Sequence, residues 1–350
     1  MKITVIGAGN SGLAMSAHLS YCGNEVCLWN RSERTIAKLI NTRAINVDGI
    51  INDSVKIHNV TTNMNDALRD TELILLTTPA SSYYDLAKLL AVKMTKRVPI
   101  ILNPGRTFGA LNFYEIYRGC GGILDPIIAE TQTIIYTCRK NAEDNVSIYT
   151  LKKAVKLASL KKSEEQIFFD IMPQCIKMHY ILGNSFLETS LGNVGMVLHC
   201  IPFMLNTGWT ECIAAEYKYY YDGITPTIGR FIQHIDDERV AVGAALGIKL
   251  ETTMEWMKRE YATKGTTLYD CIQNNKAYKE IDAPKSVFHR YIFEDVPYGL
   301  VPFERLGNEL GIDTRYITVA IDLANALVEE DFRAYMQNIN LEIVKTFLKM

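Results

Sequence analysis

His199 lies in an almost wholly apolar run, NVGMVLHCIP (residues 193–202), and is one of six histidines in the chain. Imidazole titrates near neutral pH, so a histidine can accept a proton and return it during a reaction. A histidine in such a run can equally belong to the core, where it hydrogen-bonds to a backbone carbonyl. The run by itself leaves both interpretations open.

A glycine-rich turn opens the chain. Residues 2–6 form a short β-branched run typical of a buried strand, and Gly7, Gly9 and Gly12 follow at G-x-G-x-x-G spacing. An apolar stretch of helical period and a second strand, residues 25–30, come next. In this order the glycines predict a dinucleotide site. Gly7 would permit the tight turn, Gly9 the approach of the pyrophosphate, and Gly12 close packing of the helix.

Polar residues beside this turn indicate which cofactor binds. Asn10 and Ser11 open the helix whose free N–H groups and positive dipole end would hold the phosphates. Enzymes that use NAD commonly place Asp or Glu at the end of the second strand, whereas this chain has Asn30, Arg31 and Ser32. Arginine can pair with a 2′-phosphate that a carboxylate would repel, so we expect NADP(H) to be preferred over NAD(H). The alternative is that Arg31 stacks on the adenine and either cofactor binds.

Strands and helices continue to alternate after this unit. An apolar strand ends near Pro79, where a cofactor ribose would pass, and another ends at Asn103. Residues 121–139 supply two more strands, with Gln132 in the connection between them. The pattern predicts a doubly wound parallel sheet of the α/β class.

From about residue 165 the alternation gives way to long helical patterns, of which residues 225–248 and 315–332 are the clearest. The helix that carries His199 is expected to break around Pro202. We predict an N-terminal Rossmann NAD(P)-binding domain over residues 1–160 and an all-helical substrate and catalytic domain over residues 165–350.

Composition narrows the classes of function. The chain has 350 residues, of which 48% are hydrophobic, and a formal net charge of −2, so neither nucleic acid nor an anionic membrane is an expected partner. We find no signal-peptide core and no apolar run of transmembrane length. The eight cysteines show no C-x-x-C and no Cys/His metal spacing, which predicts reduced thiols, a cytoplasmic location and no metal site. The sequence leaves a homodimer open.

Six segments resemble, in order along most of the chain, the opine dehydrogenase family, which includes octopine and nopaline dehydrogenases and their bacterial relatives. They are GAGNSGLAMSAHL near the N-terminus, NPGRTFGAL (103–111), AETQT (129–133), NVGMVLHCIPFMLNTG (193–208), YYDGITPTIGR (220–230) and RYIFEDVPYGLVP (290–302). The resemblance implies reductive condensation: an α-keto acid, often pyruvate, forms an imine with an amino acid, and NAD(P)H reduces it to a secondary amine dicarboxylic acid.

The resemblance also assigns roles to residues. It places the family's catalytic histidine and aspartate on His199 and Asp295, and its carboxylate-binding arginine on Arg290. Asp295 would hold one imidazole nitrogen and so fix the tautomer, although it also precedes Pro297 and could be a plain helix N-cap. Arg290 could instead be a surface residue paired with Glu294.

Two further residues are candidate substrate contacts. Asn193 lies six residues before His199, a spacing that does not place the two side chains on the same face of a regular helix. A bend in the helix could still bring Asn193 to the substrate. Gln132, with Glu130 close by, is a candidate contact to the amino acid.

Two other functions fit parts of the pattern. A simple 2-keto acid or ketone reductase of the ketopantoate reductase or glycerol-3-phosphate dehydrogenase type shares the two-domain plan, but its proton donor is typically a lysine, which the His199 segment lacks. A non-catalytic NADP(H)-binding sensor would not need a histidine, an aspartate and an arginine together.

Overall fold

The computed structural model describes residues 1–122, 124–214, 216–336 and 338–349 and divides into two compact units. Unit 1 comprises Met1–Ser190 with the C-terminal residues from Thr346, and unit 2 comprises Leu191–Lys345. The division falls later than the boundary we predicted at 160–165. The reason is that strand and helix formation within the first unit continues beyond that point.

The described part of unit 1 contains strands and mostly short helices in alternation. They are β1 (Lys2–Ile6), α1 (Asn10–Tyr21), β2 (Glu25–Trp29), α2 (Ala37–Thr42), β3 (Ala44–Gly49), β4 (Asp53–Lys56), β5 (Asn59–Thr61), α3 (Met64–Leu68), β6 (Leu73–Leu76), α4 (Tyr83–Lys93), β7 (Ile100–Leu102), α5 (Gly109–Gly119), β8 (Ile128–Thr131), β9 (Tyr136–Ala142), β10 (Asn145–Leu151), β11 (Val155–Ser159), α6 (Glu165–Ile171), α7 (Gln174–Lys177), β12 (Tyr180–Leu182) and α8 (Phe186–Ser190).

Eight of these strands form one sheet in the order β12-β11-β8-β7-β6-β1-β2-β5. All its neighbours are parallel except β8 and β11. Strand β1 pairs with β2 on one side and β6 on the other, so that Val5 lies between Leu28 and Leu75. Such strands are buried on both faces, which explains their near-continuous apolar sequences. The predicted doubly wound fold is confirmed.

A second sheet has the order β4-β3-β10-β9. We expected residues 121–139 to supply two strands, and they do, but only β8 joins the main sheet. Strand β9 instead forms a hairpin with β10, because a tight turn separates them and only one face of each strand is well buried. Antiparallel sheets tolerate solvent on one face in this way.

Unit 2 is helical over its described residues, with only an isolated β-bridge between Lys218 and Asp282. Its helices are α9 (Gly195–Leu198), α10 (Cys200–Leu205), α11 (Thr207–Thr210), α12 (Pro226–Ala245), α13 (Thr253–Tyr261), α14 (Leu268–Gln273), α15 (Arg290–Phe293), α16 (Val301–Leu310), α17 (Arg315–Val328) and α18 (Leu341–Phe347, which ends beyond Lys345). Among the described helices, none combines the length and the apolar character that crossing a bilayer requires.

A buried ion pair secures the start of this unit. Arg239 and Asp236, one turn apart on α12, are both wholly buried and lie 2.8 Å apart. Arg239 also donates to the backbone carbonyls of Leu191 and Glu251, and Asp236 accepts from the backbone N–H of Thr253. The pair is therefore fully hydrogen-bonded, which offsets the cost of burying two charges. It fixes the backbone just before the segment that contains His199.

Candidate active site

The helix that carries His199 breaks at His199 itself, between α9 and α10, and not around Pro202 as we expected. Pro202 lies within the first turn of α10 and has no N–H to donate to the carbonyl of Leu198. The series of backbone hydrogen bonds along the helix is therefore interrupted one turn before the proline.

His199 and Asp295 form a hydrogen-bonded pair. The Nδ1 atom of His199 lies 3.0 Å from Oδ2 of Asp295, and the two side chains are 20% and 1% exposed. Asp295 precedes a single π-helical turn, Val296–Leu300, but its side chain makes no cap hydrogen bond there. The carboxylate is therefore engaged with the imidazole instead of capping a helix. With Nδ1–H donating to Asp295, Nε2 is the nitrogen left to exchange a proton.

The π-helical turn packs closely on α9, beside the pair. A Cβ added to Gly299 would lie 2.7 Å from Cβ of Met196 and 3.6 Å from Nδ2 of Asn193. Only glycine permits this approach. Asn193 is 3% exposed and lies two residues before α9, with its amide nitrogen close to Gly299.

Aromatic rings enclose His199. Tyr291 stacks on the imidazole, with centroids 4.5 Å apart and planes at 14°, and the hydroxyl of Tyr219 donates to the His199 carbonyl. His289 accepts from the N–H of Tyr291 through Nδ1, and burial lowers its pKa. A ring nitrogen that accepts this hydrogen bond carries no proton of its own. Tyr291 and Tyr219 therefore both contact His199, one at the ring and one at the backbone.

Arg290 begins α15, one residue before Tyr291. Its side chain is 53% exposed, and its Nε lies 3.9 Å from Oε2 of the buried Glu294. The contact that we considered as the alternative for this arginine is therefore present in the structure. At 3.9 Å it is a loose ion pair, and the exposed guanidinium has donors to spare for a carboxylate.

The three glycines of the turn in unit 1 have different surroundings. Gly7 has φ +108°, and a Cβ there would lie 2.7 Å from Cγ2 of Thr78. A Cβ on Gly12 would lie 1.7 Å from the carbonyl oxygen of Gly7, so the helix could not pack against the turn. A Cβ on Gly9 would meet nothing within 4 Å. The space in front of Gly9 suits the approach of a pyrophosphate, and α1 begins at the next residue.

Of the polar residues after β2, Asn30 contacts the glycine turn, whereas Arg31 and Ser32 are exposed to solvent. Asn30 accepts from the N–H of Ala8 at 3.1 Å and so helps to shape the glycine turn. Arg31 pairs with Asp85 at 3.2 Å, but both side chains are largely exposed, and Ser32 is exposed as well. An exposed ion pair contributes little stability, so a phosphate can displace Asp85 from Arg31.

Lys140 was not foreseen from the sequence. Its ammonium donates to the carbonyl of Ala8 at 3.1 Å, in the middle of the glycine turn, and its backbone N–H donates to Oδ1 of Asn10. Ser11 lies beside Asn10 and is buried. Lys140 belongs to β9 of the second sheet, so no local pattern places it near the turn.

Asn103 does not have the geometry we expected of a cofactor contact. Its side chain is 1% exposed, donates to the carbonyl of Ile101 and accepts from the hydroxyl of Tyr180. The amide oxygen and one of the two amide N–H groups are thus used within the fold, which supports a structural role for Asn103. Pro79, by contrast, is exposed where the chain leaves β6. Gln132 follows β8 directly and is 8% exposed.

Glu130 is fully buried, which the sequence did not indicate. It lies within β8, not in a connection, and accepts from the hydroxyls of Thr189 and Ser190 and from the N–H of Ala110. Burial raises its pKa to about 7 despite these donors. Gly105 packs directly on it, since a Cβ there would lie 2.3 Å from Oε2.

Comparisons with known proteins cover both units. Residues 182–328 match the family described as NAD/NADP octopine/nopaline dehydrogenase, alpha-helical domain, and residues 2–103 match the N-terminus of NAD-dependent glycerol-3-phosphate dehydrogenase. An opine dehydrogenase from Arthrobacter sp. (strain 1C) is 33% identical over 335 residues, which cover 94% of this chain and 91% of that protein.

Solved structures show the same fold at lower identity. Octopine dehydrogenase with NADH and L-arginine superposes with a TM-score of 0.76 at 18% identity and covers 94% of this chain and 90% of its own. Yersinopine dehydrogenase with NADP+ bound gives a TM-score of 0.77 at 12% identity and covers 99% of this chain and 95% of its own.

Proposed function

This chain belongs to the opine dehydrogenase family and is an NAD(P)-dependent oxidoreductase that acts on CH–NH bonds, and we propose that it joins an α-keto acid such as pyruvate to the amino group of an amino acid. The observation that carries the proposal is the 3.0 Å contact between His199 and Asp295 within segments that resemble the family.

The reaction makes one carbon–nitrogen bond and needs protons to move twice. The amino group attacks the keto carbon only after it has lost a proton, and the hydroxyl formed there leaves as water only after it has gained one. NAD(P)H supplies a hydride that reduces the resulting C=N bond to a secondary amine. The product is therefore the keto acid plus the amino acid, minus water, plus two hydrogens.

We assign the proton transfers to Nε2 of His199. Its ring is partly exposed, and its other nitrogen is held by Asp295. The buried carboxylate stabilises the imidazolium that forms each time the ring takes a proton. General acid–base catalysis of this kind raises the reaction rate by a factor of about 10²–10⁴.

Arg290 is the proposed partner of the keto acid carboxylate. Its guanidinium is exposed, bound only loosely to Glu294, and adjacent in sequence to the tyrosine that stacks on His199. A planar fork of donors suits a carboxylate. Asn193 and Gln132 stay as predicted substrate contacts.

We propose that NADP(H) is preferred, with Arg31 on the 2′-phosphate and Lys140 beside the pyrophosphate. Arg31 would exchange an exposed ion pair with Asp85 for the phosphate. The test compares kcat/KM for NADPH and NADH in the wild type and in R31A. We expect R31A to lose efficiency with NADPH and to keep it with NADH. A wild-type preference for NADH would contradict the proposal.

The substrate experiment assays NADPH oxidation with pyruvate and each of the twenty amino acids in turn, followed by mass spectrometry of the product. We expect one or a few amino acids to raise the rate well above that with pyruvate alone. The product mass should equal that of pyruvate plus the amino acid, minus water, plus two hydrogens. Equal rates with and without amino acid, and a hydroxy acid as product, would favour a simple keto acid reductase. NADPH binding with no turnover would favour a sensor. The cytoplasmic location and the homodimer stay predictions.

A further inference from the structure

Three soft donor groups meet in unit 1, away from the glycine turn. A ring nitrogen of His18 and the sulfurs of Cys22 and Cys175 all lie within 4.8 Å of one another. His18 and Cys22 are one helical turn apart at the end of α1, and Cys175 comes from α7. We propose that these side chains bind a zinc ion.

The donor set is one that zinc prefers. Zn²⁺ takes cysteine sulfur at about 2.3 Å and histidine nitrogen at about 2.0 Å in a tetrahedral arrangement, which places two bound sulfurs about 3.8 Å apart. The sulfurs of Cys22 and Cys175 lie within 4.8 Å of each other. The ligand atoms are at most 4.8 Å apart, so closing the site requires each pair to approach by about 1 Å, which side-chain rotation can supply.

The surroundings support a metal ligand at His18. Its ring is 8% exposed, and Nδ1 lies 3.1 Å from the hydroxyl of Tyr136. Histidines that bind metals commonly have such a partner, which holds the ring in place. Cys22 is exposed and Cys175 is half-buried, so an ion can enter from solvent, and a water can complete the tetrahedron.

Zinc at this position would connect two helices of unit 1. Helix α1 begins directly after the glycine turn, and α7 lies far along the chain. Each thiol releases its proton when its sulfur binds the ion, so affinity should rise with pH. An ion that binds the folded chain but not the unfolded chain raises the Tm.

Cobalt(II) serves as the spectroscopic probe, with the full-length reduced protein. We expect one Co²⁺ per chain, a sulfur-to-cobalt charge-transfer band and the visible bands of a tetrahedral site, all removed by one equivalent of Zn²⁺. We also expect Zn²⁺ to raise the Tm. The variants C22S, C175S and H18Q should each weaken binding at least tenfold, and C22S and C175S should each lose part of the charge-transfer band.

The matched control is C212S, which removes an exposed cysteine outside the cluster. It should bind Co²⁺ as the wild type does. The proposal is overturned if reduced wild-type protein gives no charge-transfer band, or if C22S and C175S show the band at its full wild-type intensity. It is also overturned if peptide mapping of the purified protein finds a disulfide between Cys22 and Cys175 that persists in the presence of excess Zn²⁺ and reductant.

Discussion

The backbone of Gly299 lies so close to Met196 that a single methyl group would not fit between them. An added Cβ would be 2.7 Å from Cβ of Met196. Met196 is three residues before His199 and Gly299 is four residues after Asp295, so this contact joins the two segments that carry the imidazole and the carboxylate.

We therefore expect G299A to separate the two segments and to lower kcat more than it changes KM. Overpacking of this kind destabilises by about 1–3 kcal/mol. Urea unfolding and steady-state kinetics measure the two effects. The control is G208A, because a Cβ on Gly208 would meet nothing within 4 Å. Equal kcat values for G299A and the wild type would show that the close approach does not position the pair.

D295N should lower kcat by about 10²–10⁴, because an amide can present N–H to Nδ1 and stabilise the wrong tautomer of His199. Kinetics at saturating substrates measure the loss. D282N is the control, since Asp282 forms an exposed ion pair with Lys218 in the same unit. A D295N enzyme as active as D282N would remove Asp295 from the mechanism.

K140M should raise the KM for NADPH about tenfold or more and leave kcat nearly unchanged. The variant keeps the length of the side chain and removes a charge beside the glycine turn, and a hydrogen bond to a charged group contributes about 1.5–3 kcal/mol. K56M, an exposed lysine of the same small sheet, is the control. An unchanged KM in K140M would place the ammonium away from the bound phosphates.

Glu130 should make stability fall as pH rises. Its pKa is raised from 4.5 in the unfolded chain to about 7 in the folded protein. Between pH 4.5 and pH 7 the Glu130 carboxyl is therefore protonated in the folded state and ionised in the unfolded state. The free energy of unfolding should then decrease by about 3 kcal/mol from pH 4.5 to pH 7. Urea unfolding across this range should show a smaller decrease in E130Q. E25Q, at an exposed glutamate of β2, should behave as the wild type. An identical pH dependence in E130Q and the wild type would contradict this account.

Local patterns allowed the sequence to predict much of unit 1. The glycine turn depends on contacts between Gly7 and Gly12, five residues apart, and its consequences for packing could be stated before the structure was known. The helical character of unit 2 followed from apolar periodicity. The pairing of His199 with Asp295, however, was suggested only by a family resemblance, because no local rule relates positions 96 residues apart.

What the sequence missed depends on long-range packing. Lys140 reaches the glycine turn because β9 joins a second sheet. The residues of a strand do not by themselves predict which sheet that strand joins. Glu130 is buried because Thr189 and Ser190 of α8, about 60 residues later in the chain, pack on it and donate hydrogen bonds to it. The cysteines showed no metal spacing because the third ligand of the proposed zinc site, Cys175, lies on another element.

The central claim is that His199 moves the protons of the condensation, and H199Q tests it most directly. The measurement is kcat with NADPH, pyruvate and the preferred amino acid, together with the Kd for NADPH from cofactor fluorescence. We predict that kcat falls by about 10²–10⁴ while the Kd stays within about twofold of the wild-type value. A variant that binds NADPH normally and retains wild-type kcat would contradict the account.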